Sequence, residues 1–237
     1  MIKIENVEVT GWEHVIRGMR NPKNSWDKSD SSFCVYSDYT PDCADCSYVN
    51  ICCCNDKDMY TKYIIGSNDH ELMMRLAKGG SVHAKYRRMI AVYMDITAPL
   101  YWWKEFDTYK IGTVANSCST MHKITAKEFT LEDFSHEKLC SESLDGMIYI
   151  INLLNAYRNA YINWDKNDVQ PKKDYWWQLI QLLPSSYNQK RTVMLNYEVL
   201  AGLYPMRKEH KLDEWRKFCQ WIEQLPYSEI IIVKEED

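Results

Sequence analysis

Trp12, Val15, Ile16 and Met19 recur at three- and four-residue spacing in GWEHVIRGMR, which predicts a short amphipathic helix over residues 11–20. From NPKNSWDKSDSS to about Asp58 neither helical nor strand period holds, and the Ser, Asp, Asn and Cys content reads as a long loop or insertion. GSNDHELMMRLAKGG predicts a helix with Asn68 as its cap, Glu71 at the reciprocal position and Gly79 as a left-handed stop. In RMIAVYMDIT, Met89, Ile90, Val92, Tyr93, Met94 and Ile96 follow with few breaks, the pattern of a strand covered on both faces. Thr97 and Pro99 then start another helix.

Further on, KEFTLEDFSHEKL predicts a short helix capped by Thr130. SLDGMIYIINLLNAYRNAYINW predicts a long core helix with Ile148, Ile151, Leu154, Tyr157 and Tyr161 on one side. KKDYWWQLIQLLP gives a helix stopped by Pro184, and KLDEWRKFCQWIEQL buries Leu212, Trp215, Phe218 or Cys219, and Ile222 on one face. SEIIIV reads as an edge strand. The expected fold class is α/β (α+β), mostly helical with a small mixed sheet. Residues 1–237 form one domain with a Cys-rich loop at about 30–60, and there is no internal repeat or linker.

Composition narrows the function classes. No apolar run reaches the ~18 residues of a membrane span and the amino end lacks a signal-peptide core, so the expectation is a cytoplasmic protein without a membrane partner. Net charge is −4 and no basic stripe tracks a phosphate backbone, which argues against nucleic acid. The nine cysteines are an odd count and read as reduced thiols. Cys43 and Cys46 with Cys52, Cys53 and Cys54 supply enough thiolates for zinc, but the two arms are closer than in a zinc ribbon, so no metal is assigned. No P-loop or GxGxxG pattern occurs. The 9 Trp and 17 Tyr suit either a core or the walls of a planar-ligand pocket, and the Trp102–Trp103 pair carries both readings.

The densest stretch is TAPLYWWKEFDTYKIGTVANSCST, residues 97–120. A buried-type strand and an Ala98-Pro99 helix start lead to Thr108-Tyr109-Lys110, then Thr113, Asn116 and Cys118 or Ser119. Downstream stand Leu183-Pro184, Asn196 and Arg207, and upstream the DHELMMRLAKGGSVH segment ends in His83. This order and spacing, over about residues 66–225, resembles the flavin-dependent thymidylate synthases. There an Ala-Pro helix start precedes Arg-His-Arg and a Ser, Asn/Glu, Ser, Arg pattern. This chain departs at the three Arg-His-Arg positions, at Thr120 for the last Arg, at Ile180-Gln181 before Leu-Pro and at Glu198 after Asn196; Glu105 holds the family's substrate-side Gln position.

The resemblance implies an α/β homotetramer with FAD as cofactor. It would methylate dUMP with methylenetetrahydrofolate as co-substrate, and NADPH would recharge the flavin. Carried over residue by residue, it implies Cys118 and Ser119 as catalytic candidates. Glu105, Lys110, Thr113, Asn116 and Arg207 would meet the substrate, and His83, Thr108, Tyr109, Lys110 and Asn196 the cofactor. The alternative is a relative that has lost catalysis and serves as a nucleotide-binding or assembly protein without FAD.

The residue chemistry stands beside that resemblance. Small hydroxyl and amide groups at Thr113, Asn116, Cys118 and Ser119 can cradle a phosphate or uracil edge, or simply make a turn. The Cys118 thiolate can add to C6 of a uracil ring, or the residue is a buried inert thiol. Arg207 is a ligand anchor or a surface arginine, His83 a flavin contact or a cap, and Glu105 a uracil or sugar partner or part of a solvated face. Two bound nucleotides carry roughly three to four negative charges, which arginine forks and lysines normally meet. Lys104, Arg87, Arg88, Lys190 and Arg191 are the further cations available to replace the missing arginines.

Overall fold

The computed structural model describes residues 2–33 and 63–233, so Cys43, Cys46 and Cys52–Cys54 lie outside the described residues. The strands are β1 (Lys3–Thr10), β2 (Ser32–Phe33), β3 (Tyr63–Ile64), β4 (Ala91–Pro99), β5 (Val114–Ser117) and β6 (Asn188–Asn196). The helices are α1 (Trp12–Arg20), α2 (Ser67–Lys78), α3 (Leu100–Phe106), α4 (Thr120–Lys123), α5 (Ser141–Ile162), α6 (Lys172–Leu182), α7 (Tyr197–Arg207) and α8 (Asp213–Ile222). The main sheet runs β1-β4-β6-β5, and β2 pairs antiparallel with β3. The sheet is small and antiparallel rather than mixed. No helix among the described residues is long and apolar enough to cross a membrane.

Contacts divide the chain into two compact units. The first comprises Met1–Val7, Met94–Lys110 and Val114–Val193. The second comprises Glu8–Tyr93, Ile111–Thr113 and Met194–Asp237.

In the first unit, Ile124, Phe129, Phe134, Ile151, Leu154 and Leu179 form a buried cluster. Each such large side chain contributes roughly 1.5–3 kcal/mol on leaving water. Trp102, Trp103 and Phe106 are also fully buried and pack ring against ring, so this Trp pair is core and walls no ligand. Of the face expected on α5, Ile151 and Leu154 are buried and Tyr157 packs against the cluster, but Ile148 is 43% exposed. The expected helix after Thr130 is a single 3₁₀ turn, Leu131–Asp133, in which the Asp133 carboxylate accepts from the Thr130 N–H at 2.9 Å.

The second unit corrects other expectations. Helix α2 is capped from a distance: Asp30 accepts from the Asn68 N–H at 2.8 Å and the Asp69 N–H at 3.0 Å, so Asn68 lies inside the helix. The left-handed residue at its end is Gly80 (φ +80°), whereas Gly79 has φ −73°. Buried Asp69 accepts from Arg20 Nε, Ser29 Oγ and Ser31 Oγ, each at 2.6 Å, and so pins α1 and the Ser29–Ser31 segment to α2. The closing Ser228–Ile230 segment is a 3₁₀ turn and not a strand. Tyr227 sits at φ 53°, which turns the chain before an extended run can begin. Strand β4 buries Val92, Met94, Ile96 and Ala98 while Tyr93 is exposed, so it alternates instead of being covered on both faces.

Candidate functional site

In the first unit the candidates gather where α3 ends and β5 begins. The Thr108 hydroxyl donates to the Glu105 carbonyl at 2.7 Å, and the Thr108 and Tyr109 N–H groups donate to Glu105 and Phe106 carbonyls. Thr108 thus closes the helix end, with Tyr109 half-buried and Lys110 exposed beside it. Strand β5 is the sheet edge, and Asn116 on it is exposed. The Cys118 N–H donates to the Lys190 carbonyl at 2.9 Å and its carbonyl accepts from Gln189 Nε2 at 3.0 Å. The backbone of Cys118 is therefore fixed to β6 while its thiol is exposed, which removes the buried reading. Ser119 Oγ accepts from the His122 N–H at 3.1 Å and caps α4, so this hydroxyl holds local structure.

The cations expected to replace missing arginines here have protein partners. The Arg191 guanidinium lies 4.1 Å from the Trp103 ring centroid, and its NH1 pairs with Asp107 at 2.7 Å. Lys190 pairs with Asp95 at 3.0 Å. Hydrogen bonds from Thr192, then Asn6 and Lys190, hold the Asp95 carboxyl down to about 2. Just past Ser119 a hollow of about 610 Å³ is lined by His122, Tyr161, Lys172, Lys173 and Trp176. Lys172 Nζ stands 4.7 Å over the Tyr161 ring, an arrangement of cation and aromatic wall that suits a planar anion.

In the second unit the loop Gly112–Thr113 meets the start of α7. A Cβ on Gly112 (φ +78°) would lie 3.0 Å from both Asn196 Nδ2 and Val199 Cγ2, so only glycine allows this approach. Asn196 Oδ1 accepts from the Val199 N–H at 3.1 Å and caps the helix. Thr113 Oγ1 is buried with no hydrogen-bond partner, an acceptor and donor left open beside that cap. Thr113 and Asn196 are thus brought together. Arg207 is the last residue of α7, about 16 Å along the axis from Asn196, with its guanidinium 4.5 Å from the Trp215 ring centroid. That separation assigns Asn196 and Arg207 to different parts of any ligand set.

His83 is exposed and opens the 3₁₀ stretch Ala84–Met89. It lines a cavity of about 1060 Å³ whose wall also carries Lys23, Lys28, Arg75 and Lys85, with Asp27 as the carboxylate. Sequence reasoning missed these four cations. They come from the segment after α1, from α2 and from the 3₁₀ stretch, and the only signal was their charge. The donor set suits a phosphate or pyrophosphate, because beside Arg20, whose charge Asp69 answers, four exposed cations stand against one carboxylate among the described lining residues and leave a positive field in a partly enclosed space. In charge, then, these residues fit the flavin nucleotide expected at His83.

The β1-β4-β6-β5 antiparallel sheet with its crossing helices has the fold of the flavin-dependent thymidylate synthases. Thymidylate synthase X (ThyX) from Helicobacter pylori, solved with FAD and dUMP, superposes with a TM-score of 0.60 at 13% identity, over 99% of this chain and 98% of that one. A second structure of the Helicobacter pylori enzyme, complexed with FAD and dUMP, gives 0.58 at 14% identity over 98% and 99%. The UMP/dUMP methylase PolB from Streptomyces cacaoi, bound with 5-Br dUMP, gives 0.53 at 12% over 94% and 87%. No protein-family model and no curated protein matches the chain in sequence. At these identities the likeness is one of fold.

Proposed function

We propose that this chain is a uracil-nucleotide methylase of the flavin-dependent thymidylate synthase type. It acts on dUMP or a related pyrimidine deoxynucleotide, with methylenetetrahydrofolate as carbon donor and NADPH as the source of reducing equivalents. The observation that carries this reading is the end-to-end fold likeness to proteins solved with dUMP or its bromo analogue. The cationic cavity at His83 supports it, because its donors suit an FAD pyrophosphate. FAD, when bound, supplies hydride chemistry, and Lys23, Lys28, Arg75, His83 and Lys85 would hold it, with Asn196 and Thr113 as polar partners. On the substrate side, Asn116 and Lys110 offer exposed polar groups, Arg207 an anchor, and Cys118 an exposed thiol able to attack an electron-poor ring carbon.

Self-assembly belongs to the same proposal. Helix α5 is apolar around most of its circumference, yet buries only Ile151 and Leu154. Its outer residues Ile148, Tyr149 and Ile162 are 43%, 65% and 47% exposed. A second copy of the chain is the occupant we assign to that face, within the expected homotetramer.

A specific observation favours the second reading, a nucleotide-binding protein without FAD. Thr108, at the first Arg-His-Arg position, uses its hydroxyl on the helix end, and Arg191 is engaged by Asp107 and Trp103. The deciding experiment is tritium release from 5-tritiated dUMP with methylenetetrahydrofolate, NADPH and FAD, together with the visible spectrum of the purified protein. Turnover with a flavin spectrum is the expected result. A colourless, inactive protein that dUMP still stabilises against heat would establish the second reading, and no response to FAD or dUMP would remove both.

A further inference from the structure

The hollow of about 610 Å³ past Ser119 is assigned no part in the proposed reaction. Its described wall lies wholly within the first unit, between α4, the end of α5 and the start of α6. Two aromatic rings in that wall are held in place by the fold. The Trp176 indole N–H donates to the Met121 carbonyl at 3.2 Å, and the ring meets Trp177 edge to face at 4.8 Å between centroids. Tyr161 is half-buried, and Lys172 Nζ stands 4.7 Å from its ring centroid, a contact that keeps the ammonium at the wall instead of extended into water. Lys173 lines the same hollow. Neither lysine has an ion-pair partner among the described residues, and no carboxylate stands among the described lining residues. Helix α6 begins here after Pro171 with no side chain capping it, so the positive end of its dipole adds to the two ammonium groups. Asp174 lies in that first turn and offsets part of the dipole, but is not part of the described wall.

We infer that this hollow is a binding site for a small aromatic dicarboxylate. Its ring stacks on Trp176, whose fixed orientation spares the ordering cost that a loose side chain would impose. Its two carboxylates pair with Lys172 and Lys173, two separate point charges, with the His122 imidazole and the Thr125 hydroxyl as further hydrogen-bonding groups. An inorganic anion would meet the same charges but leave the Trp176 face unused. A volume of this size is that of a small-molecule site. The inference does not rest on the methylase reading, since none of these residues is assigned to dUMP or FAD.

The test is calorimetric titration of the full chain with terephthalate and, separately, with benzoate, adipate and inorganic phosphate. Saturable binding of terephthalate is expected, tighter than that of benzoate, which has one carboxylate, or of adipate, which has no ring, and phosphate should be weaker still. Lys173→Ala, at an exposed position, should weaken terephthalate about tenfold, the scale of one charge-assisted contact. Lys172→Met, likewise exposed, should do the same. Trp176→Leu should remove the advantage of terephthalate over adipate, and circular dichroism shows whether that variant folds; the two lysine variants decide the matter if it does not. Lys85→Ala in the His83 cavity and Lys110→Ala on the substrate side should leave the terephthalate isotherm in place. The inference is overturned if terephthalate does not bind saturably, if phosphate binds as tightly, or if Lys85→Ala or Lys110→Ala moves the isotherm while Lys173→Ala does not.

Discussion

Helix α8 hides Glu214, Trp215, Phe218, Cys219 and Ile222 among its ten residues, whereas α5 hides two of twenty-two. The contrast is not one of apolar content. In α8 the apolar residues fall on one face at three- and four-residue spacing, and the chain itself covers that face. In α5 apolar residues run round the helix. Met147, Ile150, Ile151, Leu154 and Tyr157 turn toward the cluster of Phe129, Phe134 and Leu179, while Ile148 and Tyr149 turn away. One helix is written for its own chain alone; the other carries apolar surface beyond what its own unit covers, which the proposed second copy explains.

The sharpest break of that contrast is Phe218→Ala. Truncating a fully buried aromatic ring should lower unfolding free energy by about 3–5 kcal/mol in a urea titration. Ile148→Ala, measured in dilute protein, should change it by less than about 0.5 kcal/mol. Comparable losses at the two positions would dissolve the distinction between the helices. Next in size is the double variant Ile148→Glu with Tyr149→Glu, which should shift sedimentation velocity to a smaller species without loss of helical circular dichroism. An unchanged sedimentation coefficient would remove α5 from the assembly surface.

A cysteine on each helix offers a third measure. Cys140 precedes α5, is exposed, and has its thiol pKa lowered chiefly by a hydrogen bond with Ser143. Cys219, inside α8, is pushed up to about 12, first by burial and then by Glu223. Thiolate is the reactive form, so iodoacetamide at pH 8 should label Cys140 at least about tenfold faster than Cys219 in the native protein, read by peptide mass spectrometry. Equal rates would mean that α8 opens as readily as the helix end before α5.

The same contrast explains what was legible in the sequence. The face of α8 and that of α1 could be read because burial there follows a single helical period. Ile148 was misplaced because its apolar character says nothing about whether the chain itself covers it. The cap of α2 was missed because Asp30 lies far back along the chain, and only tertiary structure brings it to Asn68. At the site, the Ala98-Pro99 helix start was visible as a local pattern, whereas Asn196 was singled out only by the family resemblance and its capping of α7 came from the structure. The cations around His83 were not legible, since they converge from separate elements, and neither was the burial of Arg87 within a basic-looking YRRM run.

The smallest expected effect concerns how the far end of α8 is tied down. Tyr204 of α7 donates to Glu223 Oε1 at 2.6 Å, at the residue that ends α8. That bond, followed by partial burial and the Glu223 charge, raises the Tyr204 hydroxyl to about 12. A folded-state pKa above the unfolded value near 10 means that the contribution is complete below pH 10. It declines as the unfolded chain ionises first, and is gone once pH passes about 12. Because the pair is largely solvated, its contribution should stay below about 1 kcal/mol. The wild-type urea midpoint should therefore exceed that of Tyr204→Phe at pH 9, and the gap should narrow by pH 11. Lysine titration is common to both proteins and cancels in the difference. A gap that stays constant from pH 9 to pH 11 would mean that the phenol is not held by Glu223, and that α8 owes its order to its buried face alone.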